Sequence, residues 1–456
     1  MLPFLEKIEK FREESYDTAG IRFNSWPILI LGVAFLVMAY IFMPKIVTSA
    51  LSISLFLAPL WLPFLLVSGA LSLWLILRQS EFLADQKYIL LEIRVPRNLV
   101  KTPLAMEAFL STLHLSGGES NWYQRWILGS SRPFWSLEMA SFEGQVHFFI
   151  WSRAGLRRLI ESQLYAQYPG VQLVEAVDYT RTISGNPEDW DGIWGCDFKQ
   201  TAKDSDPLPI KTYVEYGLDK VQKEPEQVDP FANLVEFMSS AGKGEHIWLQ
   251  FVIRFHKGEK YHKLNKKGKM YTWKDKAEEL VAEIRSATRD TYVDPVSGES
   301  RPGFPNPTKG QSEKIAAIER NISKLAFDVG VRSIYFVKGK FNVVTIAQMI
   351  SLFKPFSTEG WNGINSTAWM KNFNDYPWEL GADKLKDKYR RKLVEAYRRR
   401  QFFYEPFTFG LPKDDIMVMS TEELATVFHI PSSAVAAPGL GRIQSATGEA
   451  PTNLPI

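Results

Sequence analysis

The sequence predicts an α+β protein, an N-terminal two-helix transmembrane hairpin followed by a mixed helix-and-strand body. Two observations carry this. Pro27 to Met43 and Leu51 to Leu77 contain no charged residue. After Leu77 the apolar residues switch repeatedly between a period of 2 and a period of 3.6, as strands and helices alternate.

At ~1.5 Å per helical residue the first run reaches roughly 25 Å and the second roughly 40 Å, against a hydrocarbon core of about 30 Å. An uncharged run as long as the second leaves no solvent face for a soluble core helix. Pro59, Pro63 and Gly69 provide for a kink or tilt that absorbs the extra length. The alternative, a signal peptide followed by a core helix, conflicts with the acidic Glu6, Glu9, Glu13 and Glu14 and with the immediate second run. Lys7, Lys10, Arg12 and Arg22 precede the hairpin, Arg78, Lys87, Arg94 and Arg97 follow it, and the connecting turn offers only Lys45. By the positive-inside rule both termini are cytoplasmic, giving a two-pass membrane protein with its body in the cytoplasm. The formal net charge of +3 implies no general affinity for nucleic acid, and the single cysteine, Cys196, excludes an internal disulfide and a cysteine-based zinc site.

Taken in order, residues 1–25 form a lead-in in which Phe4, Leu5, Ile8 and Phe11 recur at helical spacing, which fits an interfacial amphipathic helix or an ordinary helical approach. Residues 26–78 are the hairpin. Residues 86–179 read as one domain. Ile89, Leu91, Ile93 and Val95 alternate in a strand. Thr102 and Pro103 open a helix with Met106, Phe109, Leu110 and Leu113 on one side. Trp135, Leu137 and Met139 alternate, Glu143-Gly144 turns, and Val146, Phe148 and Ile150 return. Ser152 is placed to cap a helix with Leu156, Leu159, Ile160 and Leu164 inside, and Val171 to Val177 closes the unit. The order β-α-β-β-α-β is that of the split βαβ, ferredoxin-like sandwich, a plan that implies no particular function.

A polar linker, Thr180 to Pro209, leads to a second α+β domain of similar plan, residues 208–355. Its expected elements are a strand Ile210 to Leu218, a helix opened by Asp229-Pro230, and a long strand through Ile247, Leu249, Phe251, Ile253 and Phe255. A basic insertion, residues 256–310, contains a helix near Trp273 to Arg289 and interrupts the plan. A helix with Ile315, Ile318, Ile322 and Leu325 then precedes a strand Arg332 to Val337 and a helix Val343 to Phe353, and no fourth strand is evident. Residues 356–437 hold an irregular stretch with Trp361, Trp369 and Trp378, a basic helix Lys384 to Arg400, and a strand end at Val418 to Ser420. Ser420 with Glu423 forms a capping box there. Residues 438–456, rich in Gly, Pro, Ala and Ser, read as a flexible tail.

Chemistry-bearing motifs are few, and no cofactor, catalytic residue or metal site is expected. Gly242-Lys243 and Gly339-Lys340 lack the upstream glycine and following hydroxyl of a phosphate loop. His256 and His262 lie among lysines that oppose a metal ion, and Asp189, Asp191 and Asp197 fall in the linker, where a solvated loop is the plain interpretation. Two basic features remain. Lys263, Lys266, Lys267 and Lys269 stand beside Tyr271 and Trp273, and Arg390, Arg391, Arg398, Arg399 and Arg400 precede Phe402, Phe403 and Tyr404. Lysines beside stacking aromatics suit single-stranded nucleic acid. The same charges near a bilayer suit anionic lipid, and a solvated surface needs neither.

The runs YILLEIRVPRN, PLAMEAFLSTLH, IERNISKLAFDVGVRSIYF with FKPFST, and STEELATVFHIP with its Gly/Pro tail are in an order that resembles the membrane-anchored N-terminal region of bacterial DNA-transfer ATPases of the conjugative, type IV secretion-like, FtsK/HerA class. The likeness covers roughly Glu81 to Ile456. It implies a non-enzymatic, oligomeric module of a bacterial inner membrane that docks a motor ATPase or its DNA or protein substrate, and it carries over no catalytic residue. A membrane-surface scaffold unrelated to secretion and an enzyme with an unrecognised site are the rival expectations.

Overall fold

The computed structural model describes residues 25–119, 121–201, 206–220, 228–261, 263–265, 268–293, 300–367, 382–404, 416–433 and 439–443. The lead-in helix and Trp369 and Trp378 lie outside them. The chain divides into two compact units, Met1–Leu77 and Arg78–Ile456.

The first unit is helical, Ser25–Phe42 (α1) and then Pro44–Asp85 (α2), whose last turns belong to the second unit. Residues 44–50, predicted as the connecting turn, are helical instead. The Met43 N–H donates to the Ala39 carbonyl at 2.8 Å and Val47 N–H to that of Met43 at 3.1 Å, so only Met43 interrupts the helix. Pro44 sits where a missing N–H costs little, at the first helical position. Among the described residues α2 is the helix long and apolar enough to cross a membrane, by length and composition, and none of its apolar window is buried.

The body is built on a 10-stranded sheet. Its elements in order are β1 (Tyr88–Pro96), α3 (Pro103–Thr112), α4 (Trp122–Trp126), β2 (Phe134–Phe142), β3 (Gln145–Arg153), α5 (Arg157–Gln167), β4 (Gln172–Glu175), α6 (Tyr179–Thr182), β5 (Gly192–Gln200), α7 (Pro230–Ser239) and β6 (Glu245–Phe255). Then follow α8 (Trp273–Ala287), β7 (Arg289–Val293), β8 (Ser300–Pro305), α9 (Lys309–Ser323), β9 (Ala326–Val337), α10 (Val343–Ile350), β10 (Ile364–Ser366), α11 (Ala382–Arg398), β11 (Met417–Ser420), α12 (Thr421–Val427) and β12 (Arg442–Ile443). Across the sheet the order is β10-β5-β9-β6-β2-β3-β1-β12, with β4 on β1 and β11 on β9; β7 and β8 pair with each other. β12 joins β1 parallel, and the other pairings are antiparallel. β2 and β6 pair along their length from Phe134↔Arg254 to Phe142↔His246, so residues 86–179 and 208–355 share one sheet.

Period-2 alternation sends each strand's residues to two faces. Trp135, Leu137, Met139, Phe148, Ile150, Leu249, Phe251, Val329 and Val331 point to one, where Phe109 of α3, Leu164 of α5, Leu234 of α7, Met349 of α10 and Leu424 of α12 cover them. The opposite face, with Phe149, Trp151, Trp248, Ile334 and Phe336, lies under Leu393, Val394 and Tyr397 of α11 and under Phe402 to Tyr404. Gly330 makes room for this cover: a Cβ there would stand 2.3 Å from Phe402 Cγ.

Several expectations need correction. The supposed linker contains β5, in which Trp194, Cys196 and Phe198 alternate inward. Ile210 to Leu218 forms turns, because its backbone is held by α12 side chains: Glu423 accepts from Ile210 N–H at 3.0 Å and Thr426 from Tyr213 N–H at 3.0 Å. Ser152 ends inside β3, and a 3₁₀ turn, Ala154–Leu156, intervenes before α5. A fourth strand exists as β10, three residues too short to show a period. The tail is pinned at its start, where Val146 N–H donates to Gly439 O at 2.8 Å and β12 extends β1. The capping box read from local spacing, Ser420 with Glu423, is present, and the structure adds another at Thr272 with Asp275.

Candidate functional site

On the face under α11, a row of polar residues crosses six strands in direct register: Glu92 beside Phe149, then Glu138, Gln250, Arg332 and Asp197. Asp197 and Arg332 are fully buried and joined by two bonds, Nε to Oδ1 at 2.7 Å and Nη2 to Oδ2 at 3.0 Å. Burial pushes the Asp197 carboxyl up, and the guanidinium pulls it back only in part. Gln250 Nε2 donates to Glu138 Oε1 at 3.1 Å and to the Tyr397 carbonyl at 3.1 Å, linking the row to α11.

Arg400, two residues past α11, completes the layer. It is 1% exposed and reaches two carboxylates, donating through Nε to Glu138 Oε1 at 2.9 Å, through Nη2 to Glu138 Oε2 at 3.2 Å, and through Nη2 to Asp178 Oδ1 at 2.9 Å. Burial alone would lower its affinity for a proton, but Glu138 and Asp178 outweigh that and raise it. Burial likewise pushes Asp178 up, and the bonds and charge of Arg400 bring it below the usual carboxylate range. Tyr179 donates its hydroxyl to Glu138 at 2.7 Å, and its oxygen is 2.9 Å from that of Tyr397. Burial first, and then the Glu138 charge, hold both phenols well above their ordinary value. Farther along the same face Asp328 binds Arg254 at 2.9 Å and His256 at 2.7 Å. Burial raises that carboxyl, and the Arg254 charge and the His256 hydrogen bond lower it by more.

Beside Arg400 opens a cleft of ≈ 640 Å³. One wall is the last part of α2, Ser80 to Ala84. Tyr88 and Trp151, stacked at 4.3 Å, and Phe134 provide aromatic surface, and Arg181, Arg398 and Arg399 provide charge. Arg398 is committed to the carbonyls of Thr180 and Ile183, both at 2.8 Å, and Arg399 pairs with Glu395 at 2.5 Å. Arg181 is the most exposed of the three, its side chain 84% exposed and 3.9 Å from Asp178. The same lining also carries the carboxylates of Asp178 and Glu395, so the recess presents both signs of charge beside its aromatic surface.

Of the residues singled out from sequence, the structure brings Lys263 and Tyr271 together. Lys266, Lys267 and His262 lie outside the described residues. Lys263 stands 3.8 Å over the Tyr271 ring and 3.7 Å from Glu279, and Lys269 is exposed. Tyr271 and Trp273 are 3% and 2% exposed, so in this structure neither ring offers a face to a base. Tyr271 donates to Glu279 at 2.5 Å, and Trp273 packs with Ala326 and Val418. Arg390 donates to Ile193 O and pairs with Asp387, and Arg391 pairs with Glu188. Arg400 is interior, and Phe402 and Phe403 lie under the guanidiniums of Arg332 and Arg254 at 4.2 and 4.4 Å. Asp197, expected in a solvated loop, belongs to the buried row. Glu138, Asp178, Gln250 and Arg332 were not anticipated. A polar residue alternating with apolar ones in a strand looks solvent-facing, and the helix that covers this face arrives from far along the chain. A local signal is that Asp328 and Arg332, four residues apart and so on one face, interrupt the mostly apolar β9.

No metal-holding group of three or more His, Cys, Asp or Glu occurs among the described residues. The chain is thus an α+β protein whose body is built on a 10-stranded sheet with helices on both faces, preceded by a long apolar helix. It belongs to the family described as "Domain of unknown function (DUF8128)", whose model matches residues 78–440 and so begins where the second compact unit begins. No curated protein and no solved structure matches it.

Proposed function

We propose that this chain is a non-enzymatic, membrane-anchored component of a type IV secretion-like DNA or protein translocation complex of a bacterial inner membrane. Its cytoplasmic body docks a motor ATPase of the FtsK/HerA class or that motor's substrate. The observation that supports the anchor is α2, an exposed apolar helix whose final turns, with Gln79 and Leu83 buried, are built into the body. With the preceding apolar α1 we read two passes and both termini in the cytoplasm, in keeping with the charge asymmetry around them. The translocation assignment rests on the sequence resemblance.

We also read the body as two ferredoxin-like halves joined edge to edge. The antiparallel orders β4-β1-β3-β2 and β10-β5-β9-β6 correspond, each with helices after its first and third strands, and β2 meets β6 at the junction. The insertion holding α8, β7, β8 and α9 replaces the second hairpin turn. Gentle solubilisation after cross-linking, followed by affinity capture of the full chain, tests the function. Recovery of a hexamer-forming ATPase supports it, and capture of membrane protein without any ATPase above the control rejects it.

A further inference from the structure

We propose that the turn 121–128 is an interfacial foot that inserts its aromatic side chains into the head-group layer of the same bilayer, a proposal that rests on α2 being a membrane span. The turn exposes an unusual set of residues: Trp122 at 67%, Tyr123 at 54% and Leu128 at 44%, with Arg125 exposed between them. Tryptophan, tyrosine and arginine are the side chains that concentrate where hydrocarbon meets water, since each joins an apolar body to a polar end.

Exposure alone would fit a protein partner equally well, and attachment decides for lipid. The Arg78 guanidinium donates through Nε to the Ile127 carbonyl at 2.8 Å. The backbone of Gly129 lies directly on that of Arg78: its φ is +64°, and a Cβ there would stand 2.1 Å from the Arg78 carbonyl oxygen. No other residue could sit there without moving one backbone off the other. Arg78 is the residue after Leu77, the end of the uncharged run, and adjacent Cα atoms are about 3.8 Å apart. The foot is therefore clamped to the point at which the chain leaves the apolar segment and cannot be remote from the surface that segment enters. Its shape is locally fixed as well, because Asn121 caps α4 by accepting the Gln124 N–H at 2.9 Å.

Spin labels on Tyr123→Cys, Leu57→Cys and Val344→Cys, each in the full chain, test the foot in vesicles of phosphatidylethanolamine and phosphatidylglycerol. The natural Cys196 is buried and stays unlabelled. The expected result is a Tyr123 label with a several-fold higher ratio of oxygen to water-soluble nickel-complex collisions than the Val344 label, and a lower ratio than the Leu57 label. A Tyr123 label as open to nickel as the Val344 label, with Leu57 still in lipid, overturns the foot and leaves the anchor standing. If Leu57 is also open to nickel, the anchor fails and the foot with it. A Tyr123 label shielded from both reagents means a protein contact and overturns the proposal.

Discussion

Replacing Arg400 by methionine keeps most of the buried volume and removes the cation that faces two carboxylates. Glu138 is then left with no guanidinium at 0% exposure, with only the Tyr179 hydroxyl and the Gln250 amide to solvate it. Breaking a buried pair from one side typically costs about 3–5 kcal/mol. Unfolding entropy of about 2.1 cal/mol/K per residue gives the ~380-residue body a fall in Tm of about 5 °C for a 4 kcal/mol loss, if it unfolds in two states. Glu138→Gln alone should cost less, because Arg400 keeps Asp178. The Arg400→Met, Glu138→Gln double variant should be more stable than the two single losses sum to, since the orphaned charge is gone. Calorimetry of all four proteins measures this coupling. A loss below about 1 kcal/mol for Arg400→Met, or strict additivity, would refute the view that this layer holds α11 to the sheet.

Three further outcomes follow from other parts of the body. Burial pushes Glu423 up to about 7, its backbone donors Ser420 and Ile210 offsetting only part of the effect, against an ordinary value of 4.5. The folded state therefore holds this proton more tightly. Its stabilisation is complete below pH 4.5 and lost as pH rises through 7, about 3 kcal/mol in all, so Glu423→Gln should flatten the denaturation profile over that window and an unchanged profile would contradict this. Trp273→Ala should lower stability by about 3–5 kcal/mol with DNA binding of the folded fraction unchanged; lost binding at an unchanged melting temperature would instead put that ring on a base. If Lys263, Lys266, Lys267 and Lys269 meet single-stranded DNA, their joint replacement by alanine should reduce the salt slope of log K by about 3, and an equal slope makes the loop a solvated surface.

What the sequence reveals depends on whether its cause is local. Alternation in β1, β2, β3 and β6, the Thr102-Pro103 and Asp229-Pro230 helix starts, and the Ser420-Glu423 capping box are set by residues within one or two turns, and all are readable. β5 was hidden because Gly192, Gly195 and Asp197 make it look like a loop. Those residues are tolerated because the β5 backbone is paired on both sides and Asp197 meets Arg332, some 135 residues away. Ile210 to Leu218 misled in the opposite way: its apolar residues serve the core from turns that α12 holds. The buried row has the same origin. Glu138 and Gln250 resemble surface positions until α11 covers them, and the basic residues of α11 read as a charged patch although Arg400 closes on two carboxylates.

The anchor is the centre of the account, and compartment reporters test it most directly. A reporter active only in the cytoplasm, fused after Ile456, should be active, and the same reporter fused after Thr48 should be silent, with the opposite pattern for a reporter active only outside. Cytoplasmic activity at both positions would make the apolar segment a non-spanning helix, and activity at Thr48 alone would invert the protein and remove every cytoplasmic partner proposed for it.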